Sequence, residues 1–184
     1  MEDSINEKIK KHIDKKSLIA QYAASQIQDN DFVFIDAGTT TLLMTKYLKE
    51  SKATFVTNGI AHARELSANG CKTLVLGGIL KQSTEAIIGL VAASNLQKYS
   101  FTKSFIGTNG VSEKQGFTTP DIEEATLKSI AIEKSFVSYI LADSSKFNKV
   151  SAVSIGSIDS ACIITDKCPN ETIKKLTIVK EVTE

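Results

Sequence analysis

The 184-residue chain carries 22 Lys+Arg against 21 Asp+Glu, a net charge of +1, and 42% of it is hydrophobic. That composition supports a full core in one domain of generous size and excludes a disordered chain, and near-neutrality argues against a free-standing nucleic-acid binder, whose footprint is a basic excess on one face. No run approaches the roughly 18 apolar residues of a membrane span and residues 1–15 are too polar for a signal peptide, so the expectation is a soluble cytoplasmic protein with no membrane partner.

The chain opens with a helical pattern from Ser4 to Ile27. Ser4 with Glu7 has the form of a capping box, and Ile5, Ile9, Ile13, then Ile19, Ala23 and Ile27, recur at helical spacing. Up to Lys16 the stretch is highly charged with a thin apolar stripe, which reads as an arm or linker. Asp29-Asn30-Asp31 supplies turn chemistry. Beyond it, Phe32–Ile35, Thr54–Thr57 and Thr73–Leu76 are short apolar runs of strand length, separated by helical stretches at Thr40–Leu48 and Ile60–Ala68. Strands that do not alternate, with helices between them, indicate a parallel sheet covered on both faces. Further strands are expected at Ser104–Gly107, Phe136–Ala142, Ala152–Ile155 and Cys162–Thr165, and helices at Leu90–Tyr99, Asp121–Ser135 and Asn170–Thr177. The predicted fold is an α/β domain with a doubly wound, mostly parallel sheet preceded by an N-terminal helix.

In such sheets ligands bind beyond the carboxyl ends of the strands. There the chain places Asp36-Ala37-Gly38-Thr39-Thr40-Thr41, which opens a helix directly after the first strand. Unpaired amides at a helix start suit a phosphate, glycine allows close approach, and three hydroxyls add donors without charge. The same residues also read as a plain cap and turn, and they form neither a Walker loop nor a dinucleotide fingerprint. Thr57-Asn58-Gly59 and Gly77-Gly78 end the next two strands; both fit a ligand rim and both fit ordinary turns. Lys81 reads as a surface lysine. Asn109 lies in a loop after a later strand, Glu124 and Lys128 have the i, i+4 spacing of a solvated pair, and Lys146 follows the longest apolar run, where a point charge can neutralise a phosphate or simply face solvent. The three cysteines, Cys71, Cys162 and Cys168, have no CxxC spacing, which argues against a disulfide framework and a thiolate metal site. Two histidines, His12 and His62, leave little material for a zinc cluster or a Ser-His-Asp triad.

Taken in order, IAQYAASQI, D-A-G-T-T-T, V-T-N, L-G-G, S-T-E-A-I-I-G, F-I-G-T-N-G, G-F-T-T-P-D-I-E-E-A and L-A-D-S-S-K-F carry a resemblance from about Lys16 to Asp166. The sequence resembles the C-terminal sensor domain of the DeoR-type bacterial transcriptional regulators, and within them the sugar-pathway repressors of the lactose phosphotransferase kind. The resemblance implies a fold shared with ribose-5-phosphate isomerase and a non-catalytic receptor for a phosphorylated sugar, with no cofactor, no metal and no catalytic residue. By position the phosphate would meet Gly38, Thr39, Thr40, Thr41 and Lys146. Asp36, Asn58, Gly77, Gly78, Lys81, Asn109, Glu124 and Lys128 would line the sugar end. Lys81 stands where many members have arginine, which weakens bidentate recognition.

The resemblance further implies a homo-oligomer, dimer or tetramer, whose operator DNA is bound only through an N-terminal winged helix-turn-helix domain. Residues 1–16 are too few to hold one, so the expectation is a linker helix over 1–16 and an effector-binding domain over 17–184. The alternative on the same fold is a sugar-phosphate isomerase with Asp36, Glu124 and Lys146 as players. Asn109 opposes it, since the isomerases carry acidic residues in that loop and an amide is no general acid or base.

Overall fold

Apolar runs too short to show a period are what the central sheet is made of. The computed structural model describes residues 5–183, with side chains from residue 14 onward. Helix α1 covers Ile5–Ser25 and is followed by β1 (Phe32–Ile35), α2 (Thr39–Met44), β2 (Thr54–Thr57), α3 (Ile60–Ala68) and β3 (Lys72–Val75). A small hairpin, β4 (Ile79–Lys81) and β5 (Ala86–Ile88), leads to α4 (Leu90–Gln97) and β6 (Phe101–Gly107). Then come β7 (Gly110–Ser112), β8 (Gly116–Thr119), α5 (Ile122–Glu133), β9 (Ser135–Leu141), β10 (Val153–Gly156), β11 (Cys162–Thr165), α6 (Glu171–Leu176) and β12 (Val179–Glu181).

The seven strands β12-β11-β9-β6-β1-β2-β3 form the main sheet, in that spatial order, and every pairing in it is parallel. Alternate residues of each strand feed two separate cores. Val33, Ile35, Phe55 and Phe105 pack with Ile19, Ala20 and Ala23 of α1, Met44 of α2 and Leu66 of α3. Phe34, Val56, Ile106 and Ile140 pack on the other face with Leu96 of α4 and Leu127 of α5. A strand buried on both sides must be apolar at every position, which is why these runs do not alternate. The strand order reverses between β1 and β6: from β1 the chain moves outward to β2 and β3, then returns by α4 to β6 on the opposite side.

Several expectations shift by one to three residues at their ends, and three change in kind. The helix expected over Thr40–Leu48 divides into α2 and a tight turn at Thr45–Tyr47. The strand expected at Ala152–Ile155 exists as β10 but does not join the main sheet; it pairs antiparallel with β8, which pairs with β7 in a separate three-stranded sheet. The hairpin β4–β5 and the strands β7, β8 and β12 have no counterpart among the expected elements, because runs of three or four residues around Gly and Thr leave no period to detect. Ser4, the proposed cap of α1, lies outside the described residues, as do the side chains of Glu7, His12 and the first three isoleucines of that helix. Among the described residues no helix is long and apolar enough to cross a membrane.

The turn between β7 and β8 depends on Gly116, whose φ of +67° lies in the left-handed region and whose missing Cβ would stand 2.2 Å from the carbonyl oxygen of Gly156. Gly116→Ala is expected to lower stability by about 2 kcal/mol or more, measured as a lower urea midpoint at unchanged slope.

Candidate functional site

The first residue after β1 is Asp36, buried to 3% exposure. Its Oδ2 accepts a hydrogen bond from the Nζ of Lys128, itself only 6% exposed on α5, and another from the amide of Gly107 at 3.1 Å. Lys128 also donates to the Gly107 carbonyl at 2.9 Å. One ion pair therefore joins the ends of β1 and β6 to α5. Lys128 is not the solvated partner of Glu124 that its spacing allows. The i, i+4 rule ranks neighbours on one helix and cannot see a carboxylate brought in from a distant strand.

The chain after Asp36 is held from beneath. The amide of Ala37 donates to Asn58 Oδ1 at 3.0 Å, while Asn58 Nδ2 donates to the carbonyl of Ile87 on β5 at 3.3 Å. Thr41 is fully buried, and its hydroxyl donates to the Asp36 carbonyl at 2.5 Å while accepting from the Gly38 amide at 3.1 Å. His62, from α3, places Nε2 at 2.9 Å from the Gly38 carbonyl, 3.1 Å from the Thr41 hydroxyl and 3.3 Å from the Gly38 amide. The Gly38 carbonyl can only accept, which calls for the ring proton on Nε2, whereas the Gly38 amide can only donate, which calls for a lone pair there. The carbonyl contact is the shorter, 2.9 Å against 3.3 Å, and with the proton on Nε2 the lone pair falls on Nδ1. Nδ1 is buried with no hydrogen-bond partner among the described residues, against Gly59, where a Cβ would lie 2.2 Å away. Burial pushes the imidazole below its ordinary 6.5, against the opposing pull of the Gly38 carbonyl and the Asp36 charge.

Above this scaffold lies a cleft of about 190 Å³ at the carboxyl ends of β1, β6 and β9. It sits at the reversal of strand order, where open α/β sheets bind ligands. Thr39 and Thr40 form one wall; as the first turn of α2, their amides have no acceptor within the helix. Gly107, Thr108 and Asn109 form the next wall, with Asn109 Oδ1 accepting from the Thr119 hydroxyl at 2.9 Å. Opposite stands the turn Ser144–Lys146, capped by Asp143, whose carboxylate accepts from the Ser145 amide at 2.9 Å. That turn presents Lys146 to the cleft. Thr84, at the tip of the β4–β5 hairpin, and Lys16, from α1, complete the rim.

Of the residues singled out from sequence, the cleft gathers Gly38, Thr39, Thr40, Thr41, Asn109, Glu124, Lys128 and Lys146. Asp36 and Asn58 lie behind it as supports. Gly38 has φ −151° and ψ 167°, a conformation open to any residue, so the turn itself does not require glycine there. Lys81 is held away from the cleft by Asp121 at 2.9 Å and Glu124 at 3.2 Å. Hydrogen bonds from the Glu124 amide and from Lys81 keep the Asp121 carboxyl below its ordinary 3.8, and the carboxylates of Asp121, first, and Glu124 raise Lys81 above 10.5. Gly77 and Gly78 do not reach the cleft. They follow the edge strand β3, two strands and about 10 Å from β1. Gly77 donates to Asn95 Oδ1 at 3.1 Å, and Gly78, φ +144°, lets the hairpin pass within 2.6 Å of where its Cβ would meet the Ile88 carbonyl. Thr108 and Asp143 also line the cleft; they lie in F-I-G-T-N-G and L-A-D-S-S-K-F beside the expected Asn109 and Lys146. For Lys16 the sequence holds no local signal.

The architecture is one shared by sugar-phosphate enzymes and proteins of quite different work. Ribose 5-phosphate isomerase A of Methanocaldococcus jannaschii matches at a TM-score of 0.53 and 15% identity, over 72% of this chain and 53% of that one. The translation initiation factor eIF-2B of Pyrococcus horikoshii OT3 matches at 0.54 and 15%, over 77% and 50%. At such identity the likeness shows the fold alone. The sequence is more specific: residues 11–167 match the DeoR C terminal sensor domain, and the chain belongs to that family. The HTH-type transcriptional regulator FruR of Bacillus subtilis is 40% identical over 99% of this chain, which spans 74% of that protein. The lactose phosphotransferase system repressor of Streptococcus mutans is 29% identical over 98% of this chain and 73% of its own length. These relatives are named as regulators and repressors, and the chain is a sensor domain of that family.

Removing either partner of the buried pair strands the other charge. Asp36→Asn and Lys128→Met are each expected to cost about 3–5 kcal/mol, and the double variant clearly less than their sum, in a double-mutant cycle by urea denaturation. His62 generates a pH dependence of defined sign. The folded chain keeps it neutral where the unfolded chain takes up a proton, so stability falls as pH drops through 6.5. The slope reaches about 1.4 kcal/mol per pH unit at most, and His62→Gln should remove that part of it between pH 6.5 and 5.

Proposed function

We propose that the cleft binds the phosphate of a phosphorylated sugar and that the chain is the effector-sensing part of a repressor of sugar metabolism. The carrying observation is the placement of Lys146 across the cleft from Thr39 and Thr40. Among the described residues it has no carboxylate within ion-pair distance, whereas Lys128 is neutralised by Asp36 and Glu124 is paired with Lys81. A phosphate between Lys146 and the threonine loop meets one full positive charge, two hydroxyls and two amides, the donor set that charge-assisted bonds require. Asn109 and Glu124 stand further along the rim and suit sugar hydroxyls. Gly38, Thr41, Asp36, Asn58 and Lys128 shape the loop rather than meet the ligand. The relatives support the sugar: one is named as a repressor of the lactose phosphotransferase system.

The isomerase alternative would draw its base from Asp36 or Glu124, and both are engaged. Asp36 is sealed behind the cleft against Lys128, and Glu124 is engaged by Lys81. In the sensor reading, residues 17–184 are the effector-binding domain and residues 1–16 a linker helix. Operator contact belongs to a helix-turn-helix part of the full regulator, and subunits associate as a homo-oligomer. An effector changes operator binding only by favouring one of two arrangements through a difference in affinity.

In a thermal-shift panel, hexose and pentose phosphates should stabilise the protein while the free sugars do little. At a hundredfold excess over Kd a ligand specific for the folded state adds about 2.7 kcal/mol, roughly 5–11 °C in Tm for a chain of this size. Lys146→Ala should remove most of the shift given by the best phosphate. Equal shifts from a sugar and its phosphate would overturn the reading, as would aldose–ketose turnover above background.

A further inference from the structure

Two consecutive lysines of α1 engage two different walls of the cleft. Lys16 lines it, with Nζ 3.4 Å from the hydroxyl of Thr39. Lys15 points its ammonium 3.5 Å from the hydroxyl of Ser144 and 3.6 Å from Asp166 Oδ2. The same Asp166 holds the amide of Ser144 at 2.7 Å and its hydroxyl at 3.1 Å. Ser144 begins the turn that carries Lys146. Helix α1 is thus tied at one point to the threonine loop and at the next to the lysine turn.

The two contacts differ in charge balance. Lys15 faces a carboxylate. Among the described residues Lys16 has none within ion-pair distance; its partner is a neutral hydroxyl at the outer limit of a hydrogen bond. A flexible ammonium facing a polar cleft, with only that contact, is free to move onto an anion at little loss. A phosphate monoester carries about −1.5 to −2 at neutral pH, which one lysine does not balance and two do. Lys16 and Lys146 line the same cleft, and Thr39 stands within hydrogen-bond distance of Lys16.

We infer that Lys16 is a ligand of the effector's phosphate, contributed by α1, so that filling the cleft and seating α1 against it are one equilibrium. This rests on the phosphate reading of the cleft and adds how occupancy leaves it. Among the described side chains, the buried face of α1 starts at Ile19. Ahead of that point, the long-range polar contacts described for the helix are those of Lys15 and Lys16. An anion that recruits Lys16 strengthens one of these ties, and by reciprocity a helix held in place binds the anion more tightly.

The experiment uses the whole chain with inorganic phosphate as probe, pairing calorimetric titration with amide hydrogen exchange over α1. In the parent protein, phosphate should slow exchange across this helix. Lys16→Ala, a change to a good helix former at a partly exposed position, should weaken phosphate roughly 10-fold or more and abolish the slowing even at saturation. Lys16→Arg, which keeps the charge, should restore most of both. Wild-type affinity in Lys16→Ala, or α1 exchange indifferent to phosphate in the parent protein, overturns the inference. If Lys146→Ala still weakens phosphate in that case, the cleft remains a phosphate site and only the role of α1 falls. If the parent protein binds neither phosphate nor any sugar phosphate, both readings fall together.

Discussion

The buried pair of Asp36 and Lys128 is the constraint on which the rest of the cleft depends. A charge removed from water is tolerable only when its partner and its remaining hydrogen bonds are in place. Here that condition is met by three elements at once: the end of β1 gives the carboxylate, α5 the ammonium, and Gly107 at the end of β6 gives an amide to one and a carbonyl to the other. Any slip of β1 against β6, or of α5 along the sheet, breaks several of these contacts together. The pair thereby fixes the ends of the two neighbouring strands, and α5 against them, where the cleft opens.

Upon this base the loop after β1 is shaped by polar groups turned inward beneath the cleft. Thr41 turns its hydroxyl inward to Asp36 and Gly38, His62 closes the same ring from α3, and Asn58 ties Ala37 to the hairpin strand β5. With its inner polar groups satisfied, the loop presents outward what is left: the hydroxyls of Thr39 and Thr40 and the first-turn amides. Lys81 plays a similar supporting part at the other end, holding Glu124 while Asp121 caps α5. Among the described residues, Lys16 and Lys146 at the rim have no carboxylate within ion-pair distance, and the phosphate reading proposed above rests on that imbalance rather than on the size of the cavity.

The same architecture serves isomerases and an initiation factor because the reversal of strand order creates a crevice whatever lines it. In this chain Asp36 is paired with Lys128, Asp143 caps a turn and Glu124 is paired with Lys81. Helix α1, whose second half is built into the core through Ile19, Ala20 and Ala23, brings a further lysine to that cleft.

The sequence by itself determined the alternation of strands and helices, and so the parallel sheet. It also determined where the loops of the candidate site fall, because strands buried on both faces are mostly apolar runs and the punctuating Gly, Thr and Asn follow them. Gly38, Thr39, Thr40, Asn109, Glu124 and Lys146 were legible in this way, as residues placed just after strands or at a helix start. Tertiary structure alone decided which of the rims share one cleft. Gly77 and Gly78 have the same local pattern as Gly38, yet edge strand β3 carries them two strands away. Lys128 looks like the surface partner of Glu124 until β1 delivers Asp36 to it, and Lys16 has no local mark at all until α1 packs across the threonine loop. Periodicity reports which way a side chain faces relative to its own element. Which other element it meets is set by strand order and helix docking, and those arise from contacts between residues far apart in the chain.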